Sequence, residues 1–289
     1  MSPDADPAIS VTPTGKSMVR LPSGVDIAYR IDRAGPVGAA ARPWLVFAHA
    51  LGGDLAQWEP QVAKFSQAFN VLRYDLRGHG ASSAPKGGYA LDALADDLRG
   101  LLDALRVPHG HFVGSSLGGV VGQLAALRFP LRISSLTLVG TTSRATPDIK
   151  RQLQDLIGLV NVPQGLANAV QPILAQSFTS VFRTRHVDKV ADIGRRIRST
   201  PIDGFVGCAR ALAEANLTAR LASIGCPVLV IASAGDRCMP ALLGEEIARS
   251  VHGARLKVVP NAANLMNIEQ PDAFNGLLAD FLVDLSRLT

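Results

Sequence analysis

Val113-Gly114-Ser115-Ser116-Leu117-Gly118-Gly119 is the stretch from which the rest of the chain is best read. Gly-x-Ser-x-Gly, with Gly114, Ser116 and Gly118 in its fixed places, describes a sharp strand-to-helix turn that lifts the Ser116 hydroxyl clear of a sheet. At the N-terminus of the following helix, that hydroxyl gains from the helix dipole. The pentapeptide by itself is a weak signal, because Gly and Ser are common in ordinary loops. Its flanks strengthen it: His111-Phe112-Val113 reads as a strand end, and Val120, Val121, Leu124 and Leu127 recur at helical spacing over residues 119–129. The turn is therefore expected to present Ser116 as a nucleophile.

Working outward, strand-like and helix-like segments alternate. Ser17 to Arg20 and Val25 to Arg30 flank a Pro22-Ser23-Gly24 turn as a hairpin. Trp44 to Ala48 is a continuous apolar run, as expected of a strand covered on both faces, and it ends in His49-Ala50-Leu51-Gly52-Gly53. Asn70 to Tyr74 is a strand before the tight turn Asp75-Leu76-Arg77-Gly78-His79-Gly80, and Tyr89 to Leu105 has helical spacing. Leu136 to Val139, Pro227 to Ala232 and Leu256 to Val259 read as further strands, with helices at Glu245 to Val251 and Ala273 to Leu285. The pattern predicts an α/β fold, a doubly wound, mostly parallel sheet. Between residues 146 and 216 only helical patterns occur, so a helical cap is expected over 144–216, inserted between core segments 17–143 and 217–289, with 1–16 a flexible leader.

The 289 residues and 47% apolar content suffice for one large domain. No apolar run approaches the length of a membrane span, and the polar, Pro-rich N-terminus has no signal-peptide core, so a cytoplasmic protein is expected. Cys208, Cys226 and Cys238 lack metal or disulfide spacing, and no metal is expected. The net charge is +5, and residues 144–198 carry nine Lys/Arg against four acids, a surplus equal to that of the whole chain. A solvated helical face is one reading; attraction of a small anionic substrate is the other, which makes Arg144 and Arg183 candidate contacts. No nucleic-acid motif or interleaved aromatics accompany the charge. The sequence does not define an oligomeric state.

Asp236 follows the Val228 to Ala232 strand closely, and in parallel sheets ligand sites lie beyond the carboxyl ends of the strands. Asp236 and Ser116 are thus expected on one edge. Ser, then Asp, then a group after the last strand is the order of one type of catalytic triad. The third group should be a histidine able to take and return the Ser116 proton. The loop from Pro260 to Pro271 contains none.

The chain resembles the α/β-hydrolase superfamily and, within it, looks like the 3-oxoadipate enol-lactonases over nearly all of residues 18–285. The similar stretches are Leu51-Gly52-Gly53-Asp54 with Trp58-Glu59-Pro60-Gln61-Val62, Val71 to Ser82 around Arg77-Gly78-His79-Gly80, and His111 to Gly119. Thr200 to Phe205 and Glu269 to Asn275 fit as well. The resemblance implies Ser116 as nucleophile, Asp236 as acid, the backbone N–H groups of Leu51 and Leu117 as an oxyanion hole, Trp58 near the substrate, and no cofactor. It also places the family's histidine on Asn264, between Ala263 and Leu265. Asparagine orients a hydroxyl or a water but cannot carry a proton through a catalytic cycle. His49 and His79 are the nearest substitutes. Three readings follow: an impaired lactone or ester hydrolase, a lyase or cyclase that needs no acyl-enzyme, or a pseudoenzyme that binds a small carboxylate. The run Gln176 to Ser180 and Ala50 depart from the family pattern, so a different acyl pocket is expected.

Overall fold

In the computed structural model, residues 9–11, 15–33 and 42–287 are described. Among them nine strands form one sheet: β1 (Ile9–Val11), β2 (Ser17–Arg20), β3 (Asp26–Asp32), β4 (Trp44–Ala48), β5 (Asn70–Tyr74), β6 (Gly110–Ser115), β7 (Ile133–Val139), β8 (Val228–Ser233) and β9 (Arg255–Val259). Their spatial order is β1-β2-β3-β5-β4-β6-β7-β8-β9. β1, β2, β3 and β5 pair antiparallel in turn, and every pairing from β5 across to β9 is parallel. The leader expected over residues 1–16 is therefore not wholly flexible. Residues 9–11 form an edge strand against β2, and Lys16 is ion-paired to Asp75 at 2.8 Å. Three residues between prolines carry no readable alternation; the partner strand makes the element.

β8 is buried along its whole length because helices cover both faces of the sheet. On one face α2 (Leu91–Ala104), α3 (Leu117–Arg128) and α9 (Ala241–Ser250) pack in one apolar cluster through residues such as Leu98, Val121 and Ile247. On the other face α1 (Glu59–Phe65) and α11 (Pro271–Ser286) pack in a second cluster. Trp58 lies at the entry to α1 in this second cluster, fully buried, with ring centroids 4.7 Å from Phe47 and 6.0 Å from Phe274. A residue enclosed in that core cannot touch substrate, so the expectation of Trp58 near the ligand is corrected. Its apolar bulk holds α1 and α11 on the sheet.

Between β7 and β8 the chain forms α4 (Pro147–Val160), α5 (Leu166–Ser177), α6 (Ser180–Arg185), α7 (Val187–Arg198) and α8 (Ile202–Ala213). An isolated antiparallel bridge joins Arg144 to Asn216 on either side of these five helices. They share an apolar cluster that reaches down to Ala50, Leu265 and Ile268 on the core. α7 shows why the segment is so basic: Val190, Ile193 and Ile197 point inward, while Lys189, Arg195 and Arg198 occupy the exposed face.

Candidate functional site

The turn around Ser116 is built by backbone contact. A Cβ on Gly114 would come within 2.3 Å of the Gly118 carbonyl oxygen, and one on Gly118 within 2.5 Å of that of Ala48. Only glycine lets β6, α3 and β4 approach this closely. Ser116 itself has φ 48° and ψ −113°, a strained conformation for a side-chain-bearing residue. It is held there by its N–H donating to Val139 O at 2.9 Å and by its carbonyl accepting from Gly119 N, Val120 N and Thr141 Oγ1. The result places Ser116, 5% exposed, on the wall of a cavity between sheet and helices.

Asp236 and Asn264 meet beside it. Asn264 Nδ2 donates to Asp236 Oδ2 at 2.7 Å and to Gly140 O at 3.0 Å. Both partners are acceptors, so the amide can face them only with its nitrogen. That leaves Asn264 Oδ1 without a protein donor among the described residues, in a side chain that lines the cavity with Ser116. Asp236 Oδ1 accepts from Cys238 N at 2.9 Å and Met239 N at 2.8 Å. Gly140, at φ +48°, is a site residue that the sequence reading missed. A Cβ there would sit 2.8 Å from Asn264 Nδ2.

Burial lifts the Asp236 carboxyl to about 6, against the lowering effect of its hydrogen bonds from Met239, Asn264 and Cys238. Because the folded-state value lies above that of the unfolded chain, Asp236 stabilises the fold below about pH 4. That contribution is lost as pH rises through about 6. Carbon-13 NMR of the labelled side chain is expected to show this late titration; a midpoint below 4 would mean that the hydrogen bonds outweigh burial.

Neither substitute histidine can act as a base. His49 accepts the Leu76 N–H on Nε2 at 2.9 Å, and its Nδ1–H donates to Ala50 O at 2.7 Å. His79 accepts the Gly52 N–H on Nε2 at 3.0 Å, with Nδ1 against Arg77 O at 3.2 Å. Burial pushes the two imidazoles down to about 4 and about 3, respectively. With both ring nitrogens engaged, each ring is a neutral brace for the 49–53 loop.

The backbone N–H groups of Leu51 and Leu117 donate to no acceptor among the described residues; Leu117 opens α3, where the helix offers none. Leu51 also lines the cavity. Arg144 and Arg183, the expected substrate contacts, do not. Arg144 is ion-paired to Glu246 at 2.7 Å, and Arg183 lies on α6 away from the lining. Arg196 is the cation that reaches the cavity among the described residues, and Asp54 beside it at 3.4 Å opposes its charge. Asp192 holds the other arm of Arg196 at 2.8 Å. Around these the lining is chiefly apolar, including Leu153, Ile173, Ile193, Phe205 and Met239, and the empty space is about 890 Å³ with its open mouth. No group of metal-ligating side chains occurs among the described residues.

Residues 43–271 match the family model for the alpha/beta hydrolase fold, and the chain belongs to that family. It is 36% identical over 238 residues to 3-oxoadipate enol-lactonase 2 of Acinetobacter baylyi, a match covering 82% of this chain and 88% of the relative. Among solved structures it is similar to a hydrolase from Pseudomonas aeruginosa at 38% identity and TM-score 0.87, covering 94% of this chain and 99% of the other. An enol-lactonase from Burkholderia xenovorans is similar at 33% identity and TM-score 0.85, with 92% and 99% covered. No helix among the described residues is long and apolar enough to cross a membrane.

Proposed function

We propose that the chain is a hydrolase of the lactone or ester type in which Ser116 is the nucleophile, the N–H groups of Leu51 and Leu117 form the oxyanion hole, and Asp236 orients residue 264. The observation that carries this reading is the strained Ser116 on the wall of an apolar cavity that is also lined by a residue already hydrogen-bonded to a buried carboxyl. The similarity to enol-lactonases supports a lactone or ester as substrate. With Asn264 in the base position, the side chain that Asp236 holds cannot take the Ser116 proton, so turnover is slow. The helices of 144–216 act as the cap that closes the cavity.

Among the described residues, the lining offers a substrate carboxylate no unopposed cation. Arg144 and Arg183 lie outside it, and Arg196 faces Asp54 and Asp192. An anion entering here meets a carboxylate as near as the cation, so an uncharged ester or lactone is favoured. The basic surplus is a solvated surface.

Two measurements test this reading. A fluorophosphonate probe should label the parent slowly and the Ser116→Ala variant not at all; equal labelling of both would remove Ser116 as nucleophile. In protection assays, p-nitrophenyl butyrate should compete with the probe better than p-nitrophenyl hemisuccinate. That ranking should persist in 1 M salt, where the Debye length is about 3 Å. A hemisuccinate preference that disappears with salt would restore the anionic reading. Robust turnover unaffected by Ser116→Ala would point instead to a lyase or cyclase.

A further inference from the structure

We propose that Glu269 is a positioning residue whose carboxylate ties the loop carrying residue 264 to the helices over the cavity, so that those helices set where residue 264 stands relative to Ser116. The inference rests on the pairing of Ser116 with residue 264 described above.

Glu269 lies in α10 (Met266–Glu269) and is 8% exposed. Its two oxygens serve different parts of the fold. Oε1 accepts from the N–H of Thr179 at 3.2 Å and from the Thr179 hydroxyl, while Oε2 accepts the Ala263 N–H at 2.9 Å and has a longer contact of 3.4 Å to Thr179 N. On the other side of Asn264, the Leu265 N–H donates to Ser177 O at 3.0 Å. Residue 264 is thus bracketed by two backbone N–H bonds, one to Glu269 and one directly to the end of α5. Thr179 adds a link of its own, because its Oγ1 accepts the Phe182 N–H and so caps α6. Gln176, Ser177, Asn264 and Leu265 all line the cavity, so ligand and loop press on the same short segment. The loop is also tied to the core, through Ser233 Oγ to Ala263 O at 2.7 Å and Gly235 N to Ala262 O at 3.0 Å. It therefore sits between a fixed sheet edge and the helices above, with Glu269 and the Leu265–Ser177 bond as its connections to the latter.

A carboxylate is required for this arrangement. Glutamine offers one acceptor oxygen and one donor NH2, so in Glu269→Gln either Thr179 or Ala263 loses its acceptor and meets a donor instead. Leaving a buried donor unpaired costs more than a typical hydrogen bond contributes.

The test is amide hydrogen exchange on the unliganded parent and on Glu269→Gln. Leu265 N–H makes no contact with Glu269, so its response separates linkage from a local cap. Exchange at Ala263 and Leu265 is expected to accelerate about tenfold or more, a change matching the loss of one charge-assisted bond. Amides of β6 and β7 should keep their parent rates, which shows that the variant is folded. If Ala263 accelerates and Leu265 does not, Glu269 merely closes its own turn and the proposal fails. A second measurement uses the Asn264→His chain with p-nitrophenyl butyrate. There Glu269→Gln should lower kcat about tenfold with KM within about threefold, since a positioning loss acts on the reacting geometry more than on binding. Thr179→Ser, which keeps the hydroxyl, should retain kcat; unchanged kcat in Glu269→Gln would overturn the proposal. Should Asn264→His gain no activity, the reading of Ser116 and residue 264 is what fails, and the exchange rates still decide the linkage.

Discussion

The Asn264→His variant is expected to hydrolyse p-nitrophenyl butyrate at least about 10³-fold faster than the parent chain, a conservative share of the ~10⁶ that a triad base can be worth. The asparagine amide already occupies half of the place an imidazole would fill. Its Nδ2 is attached to Cγ as Nδ1 is in histidine, and it donates to Asp236 Oδ2 at 2.7 Å as an Nδ1–H would. What asparagine lacks is the far side of the ring, the Nε2 that accepts a proton from the serine. The side chain borders the cavity, so the added ring atoms extend into open space rather than into packed core. Asp236 carries a raised pKa of about 6, but beside an imidazolium its charged form is favoured and the pair becomes mutually stabilising. The rate of the variant should rise with pH through a group near 7, since histidine must be neutral to act as base. A folded variant that gains less than about tenfold, well short of a working triad base, would show that the surroundings of residue 264 no longer support a triad. A pseudoenzyme that only binds would then be the better description.

Gly204→Ala should markedly destabilise this protein. Gly204 lies in the first turn of α8, directly against Gly78 in the tight turn after β5. A Cβ on Gly204 would come within 2.0 Å of Gly78 O and 2.4 Å of Gly78 Cα. Backbone cannot step aside as a side-chain end does, so the helix must move off the turn. That turn carries His79, which accepts the Gly52 N–H and braces the loop bearing Leu51. A loss of about 3 kcal/mol, at the upper end for overpacking, is expected, with a fall in Tm of roughly 6–10 °C. Gly158→Ala provides the contrast: it sits in α4 with nothing within 4 Å of its Cβ position, and it should stabilise by about 0.5–1 kcal/mol. Thermal melts of the two variants decide the matter. A Gly204→Ala protein that melts with the parent would mean that the close approach is not maintained in solution.

Much of the frame was legible from residues alone because periodicity and turn chemistry are local. Ser17–Arg20, Trp44–Ala48 and Asn70–Tyr74 are strands with the limits read from their apolar runs. Gly114 and Gly118, spaced around Ser116, announced the turn because a Cβ at either glycine would strike neighbouring backbone. The missing histidine was legible too, since an absence within one loop needs no coordinates. Composition, by contrast, did not reveal which of the cations lie at the cavity. Nine cations in one segment look like a binding surface until α7 and its neighbours turn most of them to solvent and place Asp54 and Asp192 around the one that reaches the cavity. Trp58 looked like a ligand contact because its stretch resembles that of the lactonases, yet the fold encloses it with Phe47 and Phe274 in the core on one face of the sheet. The roles of Gly140 and Glu269, and the neutral state of His49 and His79, depend on partners up to 124 residues away, such as Asn264 for Gly140. Sequence determined most of the elements and showed that the loop after the last strand holds no histidine, since both follow from short-range pattern. Only the tertiary structure decided which charges cancel, which nitrogens are occupied and what residue 264 faces, because hydrogen bonds and burial are set by neighbours in space.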